Sequence, residues 1–140
     1  FVYLSSSPAF LSRSLKKFLI RNKFPPGTLV LKKSLTSGDH DHHKTGWLKR
    51  ILEKYNKKPM LLFGDSGEKD PFIYRSFVEN KEDASQVKGI IIHEVTARNE
   101  KIESLREFRN FLLEKFKVPL IYWNKIDDLK KGMREDGLLK

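Results

Sequence analysis

Along this chain, short unbroken apolar runs take turns with longer stretches whose apolar residues recur every third or fourth position. The runs read as buried strands and the stretches as amphipathic helices. Phe1 to Ser5 is the first run. Ser7-Pro8 then sets a capping residue before a proline suited to a first helical position. Leu11, Leu15, Phe18 and Leu19 follow at helical spacing. Phe24-Pro25-Pro26-Gly27 ends that helix, and Thr28 to Leu31 predicts a second strand. A polar loop, Thr36 to His43, leads to a helix with Leu48, Ile51, Leu52 and Tyr55 on one face. Met60 to Phe63 is a third strand, and a helix opening at Pro71 carries Phe72, Phe77 and Val78. Gly89 to Ile92 is a fourth. Ile102, Leu105, Phe108, Leu112 and Phe116 mark a long amphipathic helix, and Val118 to Trp123 a fifth strand. Residues 125–140 read as a polar tail expected to fray.

Five strands joined by four helices imply an α/β fold, a Rossmann-like three-layer parallel sheet covered on both faces. A chain of 140 residues is sized for one domain that buries roughly 68% of its unfolded surface. An apolar fraction of 39% and a charged fraction of 33% exclude a disordered chain. The apolar runs are too short for a membrane-spanning helix. With no cysteine, disulfides and thiol chemistry are excluded. The net charge of +10 favours anionic partners, a membrane surface or a nucleic acid. The lysines are dispersed over helix faces and loops, however, as on a solvated surface. No aromatic-basic RNA signature or helix-turn-helix pattern supports nucleic acid.

Three loops at carboxyl ends of strands carry candidate chemistry, the place where open α/β sheets bind ligands. In Ser5-Ser6-Ser7-Pro8, hydroxyls and N–H groups at a helix start can hold a phosphate oxygen. Equally, Ser7 can serve only as a cap. Gly38-Asp39-His40-Asp41-His42-His43-Lys44 invites a zinc or nickel reading through His40, His42 and His43. Adjacent residues seldom point at one ion, so a polar loop is the competing reading. Lys44, a cation set at a helix start, opposes the dipole and implies an anionic neighbour. Gly64-Asp65-Ser66-Gly67-Glu68-Lys69-Asp70-Pro71 places two carboxylates five residues apart in a glycine-containing loop. Such a pair suits magnesium, which takes hard oxygen ligands and shares them with phosphate. Taken alone, Asp70 could also cap the helix at Pro71 while Asp65 shapes the turn.

Taken together and in this order, the three loops resemble the motifs of haloacid-dehalogenase-like phosphatases. Ser5 resembles the serine closing their second motif, Lys44 their third, and Gly64, Asp65 and Asp70 their fourth. Phe1 to Pro8, Phe24 to Gly27, His43-Lys44 and Gly64 to Pro71 are similar to the actin-patch-type phosphatidate phosphatases. The similarity covers about residues 1 to 123. It implies Mg2+-dependent hydrolysis of a phosphomonoester through an aspartyl-phosphate. By that resemblance Asp65 ligates the metal, and Asp70 holds its water shell or orients Lys44. Lys44 neutralises the transferring phosphoryl group, and Ser5, with Ser6, Ser7 and His43, binds the phosphate. These are the demands of phosphoryl transfer, charge neutralisation and an in-line nucleophile.

One family element is absent from these 140 residues. The resembling proteins carry Asp-x-Asp-Gly-Thr at the end of a buried strand, where the first Asp is the nucleophile. Asp39-His40-Asp41 has the spacing but follows Thr36-Ser37-Gly38 and lacks the Gly-Thr. The chain is therefore expected to be the carboxyl-terminal part of one catalytic domain, with the nucleophile upstream of Phe1 and no turnover by itself. The first central strand, lying between those that end at Ser5 and Asp65, would be missing, leaving unpaired edges. The expected substrate is a phosphorylated small molecule or a phosphatidate-like lipid. The expected location is cytoplasmic, with contact at an anionic membrane surface. The alternative is a non-catalytic module that binds phospholipid or another anion.

Overall fold

The computed structural model describes residues 1–32, 40–56, 58–80, 85–95 and 99–139, with side chains at 40–43 and 99–105 left aside. The order is β1 (Val2–Pro8), a 3-10 turn (Ala9–Leu11), α1 (Ser12–Arg21), β2 (Thr28–Lys32) and α2 (His40–Lys54). It continues with β3 (Met60–Asp65), α3 (Asp70–Glu79), β4 (Val87–His93), α4 (Asn99–Phe116), β5 (Leu120–Trp123) and α5 (Ile126–Glu135). This is the expected α/β alternation, and every strand pairing is parallel. The chain forms two compact units, Phe1–Leu48 and Lys49–Lys140.

In the amino-terminal unit β1 pairs with β2, Val2 opposite Thr28 and Leu4 opposite Val30. Val30 and Leu31 are its buried strand residues. α1 packs against β2, and Leu15 and Leu19, one turn apart, are half-buried. Tyr3, Phe24 and Phe18 form a chain of ring contacts, 6.1 Å edge-on and then 6.0 Å tilted. That cluster holds the proline-rich break after α1 against the strand.

In the carboxyl-terminal unit the sheet order is β3-β4-β5. Successive side chains of a strand point to opposite faces, yet Ile90, Ile91 and Ile92 of β4 are all 0% exposed. Both faces of β4 are therefore covered, which explains a continuous β-branched run in place of alternation. Phe77 and Val78 of α3 and Phe108 and Leu112 of α4 complete this core. Each fully buried aliphatic contributes about 1.5–3 kcal/mol. β3 differs: Leu61 and Phe63 are exposed. Among the described residues β1, β2, β3 and β5 each have a strand partner on one side only, and β4 is paired on both.

Three expectations about elements are corrected. Residues 126–135 form a helix, not a fraying tail. α5 packs on β5, and a Cβ placed on Gly132 would fall 2.9 Å from Cγ2 of Ile121. The small residue lets the helix approach the strand closely. Next, α1 does not open at Ser7-Pro8. β1 runs through Pro8, and the helix begins at Ser12 with no side-chain cap. Finally, α2 starts at His40, so the backbone of His40 to His43 is helical, not loop, and Lys44 lies a turn inside.

Candidate active site

Two candidate groups sit at carboxyl ends of strands, one in each unit. In the amino-terminal unit, β1 spends four positions from Leu4 to Pro8 while β2 spends two from Val30 to Lys32. The excess forms a bulge, and the bulge is the serine run. Within it the Ser5 hydroxyl donates to the Ser7 hydroxyl at 3.0 Å, and the Ser7 N–H donates to Ser5 Oγ at 3.1 Å. Bulges re-aim side chains at strand ends, and this one gathers two half-buried hydroxyls. Ser6 lies between them. The capping reading of Ser7 fails, because the 3-10 turn opens at Ala9 with Pro8 in its cap position and α1 opens only at Ser12 with Leu11 in its own.

Lys32 closes β2 opposite Pro8 and is only 4% exposed. Sequence reasoning missed it, since a lysine after Thr28 to Leu31 looks like the point where a strand returns to solvent. A buried cation needs a partner, and Lys32 has one. Lys44, half-buried on α2, is also partnered. Asp39 and the side chains of His40, Asp41, His42 and His43 lie outside the described residues, and with them the histidine metal reading and the phosphate role of His43.

In the carboxyl-terminal unit β3 ends in Gly64 and Asp65, and four residues separate Asp65 from Asp70 at the start of α3. Asp65 Oδ1 accepts the N–H groups of Gly67 at 2.8 Å and Glu68 at 3.0 Å. The aspartate thus shapes its own turn. Among the described residues its Oδ2 accepts no hydrogen bond. Asp70 is 7% exposed, and its Oδ2 lies 3.4 Å from the Asp65 N–H. It occupies the first turn of α3, where the dipole favours an anion; the cap position is Lys69. Gly64 makes this approach possible. A Cβ there would meet Asp70 Cβ at 2.7 Å and Oδ2 at 2.8 Å.

Tyr74, one turn beyond Asp70, donates its hydroxyl to the Phe63 carbonyl at 2.6 Å. The bond ties α3 to the end of β3. Burial above all, then the charges of Asp70 and Asp65, push its pKa well above the ordinary tyrosine value. The field that opposes a phenolate there favours a cation. Ser66, 2% exposed, fastens the loop to β4: its N–H donates to the His93 carbonyl at 2.9 Å and its Oγ accepts the Val95 N–H at 3.1 Å. On β5 the Tyr122 hydroxyl is buried and, among the described residues, makes no hydrogen bond of good geometry. Burial raises its pKa, the nearby Ser66 hydroxyl eases ionisation, and Glu94 opposes it. Asp65, His93 and Trp123 stand in one register row across the three strands, the two rings 4.4 Å apart and tilted by 34°. Tyr74 had a readable signal, its spacing of four from Asp70 on one helix; Ser66 and Tyr122 had none.

Among the described residues no group of three metal-binding side chains converges. The donor chemistry of Asp65 and Asp70 nonetheless fits magnesium, which is commonly held by one or two carboxylates, with water and phosphate filling the remainder.

Parallel strands with hydroxyls at one carboxyl end and paired carboxylates at another place the chain in the α/β class, whose open sheets bind ligands at strand ends. Residues 1–94 match the family model described as phosphatidate phosphatase APP1, catalytic domain. The chain belongs to that family. The match takes in the serine bulge, Lys44 and the acidic loop, and ends before α4. No curated protein and no solved structure is matched.

Proposed function

We propose that this chain belongs to a magnesium-dependent phosphomonoester hydrolase whose substrate is phosphatidate or a lipid phosphate like it. The observation that carries the reading is the acidic loop. Asp65 and Asp70 close a parallel strand and open a helix, in a field that favours a cation, inside the residues that match the family. Asp65 is the proposed ligand, through the oxygen its turn leaves over, and Asp70 holds the metal's water shell. The ion supplies charge neutralisation for the phosphoryl oxygens when bound. By the family motifs Lys44 is the proposed second positive charge for a phosphoryl group. The Ser5 hydroxyl, which donates to Ser7 in this structure, is proposed to turn its one O–H to a phosphoryl oxygen when substrate binds. The nucleophile is proposed to be an aspartate on a further strand, forming an aspartyl-phosphate that water then hydrolyses.

The test is phosphate release from short-chain phosphatidate by the full-length protein, with and without a chelator. Activity should vanish with the chelator and return with Mg2+. Asp65→Asn keeps the carbonyl acceptor for Gly67 and Glu68, so its thermal midpoint should hold while turnover falls at least ~100-fold. Mg2+ should raise the midpoint of the wild type and not of the variant. Chelator-insensitive turnover would remove the metal role. Phosphatidate binding with no release of phosphate would make the chain a binding module instead.

A further inference from the structure

α1 has no fully buried residue, and most of its surface, Phe18 included, is exposed. Leu15 and Leu19 are half-buried, while Arg13, Lys16, Lys17, Ile20 and Arg21 are exposed. That second set follows the i, i+3, i+4, i+7, i+8 spacing of one helical stripe. Four of its five members are cations, and the fifth, Ile20, is 76% exposed. The 3-10 turn ahead of the helix adds Phe10, 71% exposed.

The stripe is electrostatically uncompensated. Arg13, Lys17 and Arg21 stack at intervals of four, an arrangement that destabilises a helix in water. Among the described residues none of the four cations makes an ion pair, whereas Arg75 and Lys131 each meet a glutamate one turn on. No Asp or Glu occurs before Asp39. The cations are spread along the chain, but the acids are not, and the imbalance concentrates the positive field on this unit.

We propose that Phe10, Arg13, Lys16, Lys17, Ile20 and Arg21 form a docking face for an anionic lipid bilayer. The cations meet lipid headgroups, and Phe10 and Ile20 enter the boundary between headgroups and acyl chains. A polar face rich in Lys and Arg with exposed apolar anchors is the composition of an interfacial helix. Mutual repulsion along the stripe, a liability in water, is relieved against a negative surface. Nucleic acid fits less well, because phosphates give Ile20 and Phe10 nothing apolar to cover. β1 runs from the serine bulge into this helix through a single turn, so docking brings the serines to the lipid surface. The inference goes beyond the hydrolytic reading, and its test measures binding, so the two can fail separately.

The experiment is co-sedimentation of the full-length protein with vesicles of phosphatidylcholine alone or containing about a third phosphatidylserine, an anionic lipid that is not a phosphomonoester. Wild type should bind the mixed vesicles, ignore the neutral ones, and be released by high salt. Lys16→Glu/Lys17→Glu and, separately, Phe10→Ser/Ile20→Ser should each weaken binding about tenfold. Lys130→Glu/Lys131→Glu on α5, an equal change of net charge, should alter it by less than about twofold. All three variants change exposed positions, and the salt series needs no variant. The proposal is overturned if neutral vesicles bind equally, if the α5 pair weakens binding as much as the α1 pair, or if a DNA duplex displaces the vesicles.

Discussion

Tyr74 connects the acidic loop to the stability of the carboxyl-terminal unit. Its hydroxyl bonds to the Phe63 carbonyl, and burial with the charges of Asp70 and Asp65 keeps it protonated. An unfolded tyrosine titrates near pH 10, and the folded one titrates higher. The stabilisation is therefore complete below about pH 10 and is lost as pH rises beyond it. Tyr74→Phe should cost about 1 kcal/mol at neutral pH. It should also flatten the fall of the thermal midpoint between about pH 9.5 and 11. A parallel fall in both proteins would remove Tyr74 from the alkaline transition. At this scale the sequence was most legible where a residue pair carries charge, as with Asp65 and Asp70. Lys32 and Ser66 were illegible because their significance lies in burial and in partners on other strands.

Elements were readable where one signal ruled. The isoleucine run of β4 and the apolar spacing of α4 left no competing choice. Element boundaries failed where two signals collide. Ser7-Pro8 has the composition of a helix start, yet the same residues build a strand bulge, and a local motif cannot tell which partner strand will claim it. The terminal helix failed for a different reason. Ile126, Leu129 and Met133 lie at helical spacing, but dense charge hides them, and it is Gly132 that lets the helix settle onto Ile121. Gly132→Val should lower the thermal midpoint. Valine gains a few tenths of a kcal/mol in helix propensity over glycine, whereas forcing a side chain into that contact costs about 1–3 kcal/mol. An unchanged or raised midpoint would mean that α5 is not held by this contact.

For the whole molecule, the sequence reading gave the α/β class and the family, because the order of loops along the chain is itself information. It did not give the division into two units, nor the uneven placement of acids that leaves the first of them with uncompensated positive charge. The exposed apolar side chains on β3 give a surface by which copies of the chain are expected to meet. Phe63 is 55% exposed on a strand that, among the described residues, is paired on one side only. Such edges recruit other strands. Phe63→Lys should reduce concentration-dependent light scattering of these 140 residues without lowering the thermal midpoint. Equal scattering would show that β3 is not the adhesive edge.

The serine bulge also sets a counting rule. β1 carries two residues more than β2 between matched positions, and strand side chains alternate with a period of two. An even excess keeps the phase of the strand, so Leu4 and Pro8 retain the same parity as Val30 and Lys32. Removing one serine would invert everything that follows into α1, while removing two would only straighten the strand. A chain lacking Ser6 should thus be less stable than one lacking both Ser6 and Ser7, the larger deletion doing the smaller harm. Length at this position can change only in pairs.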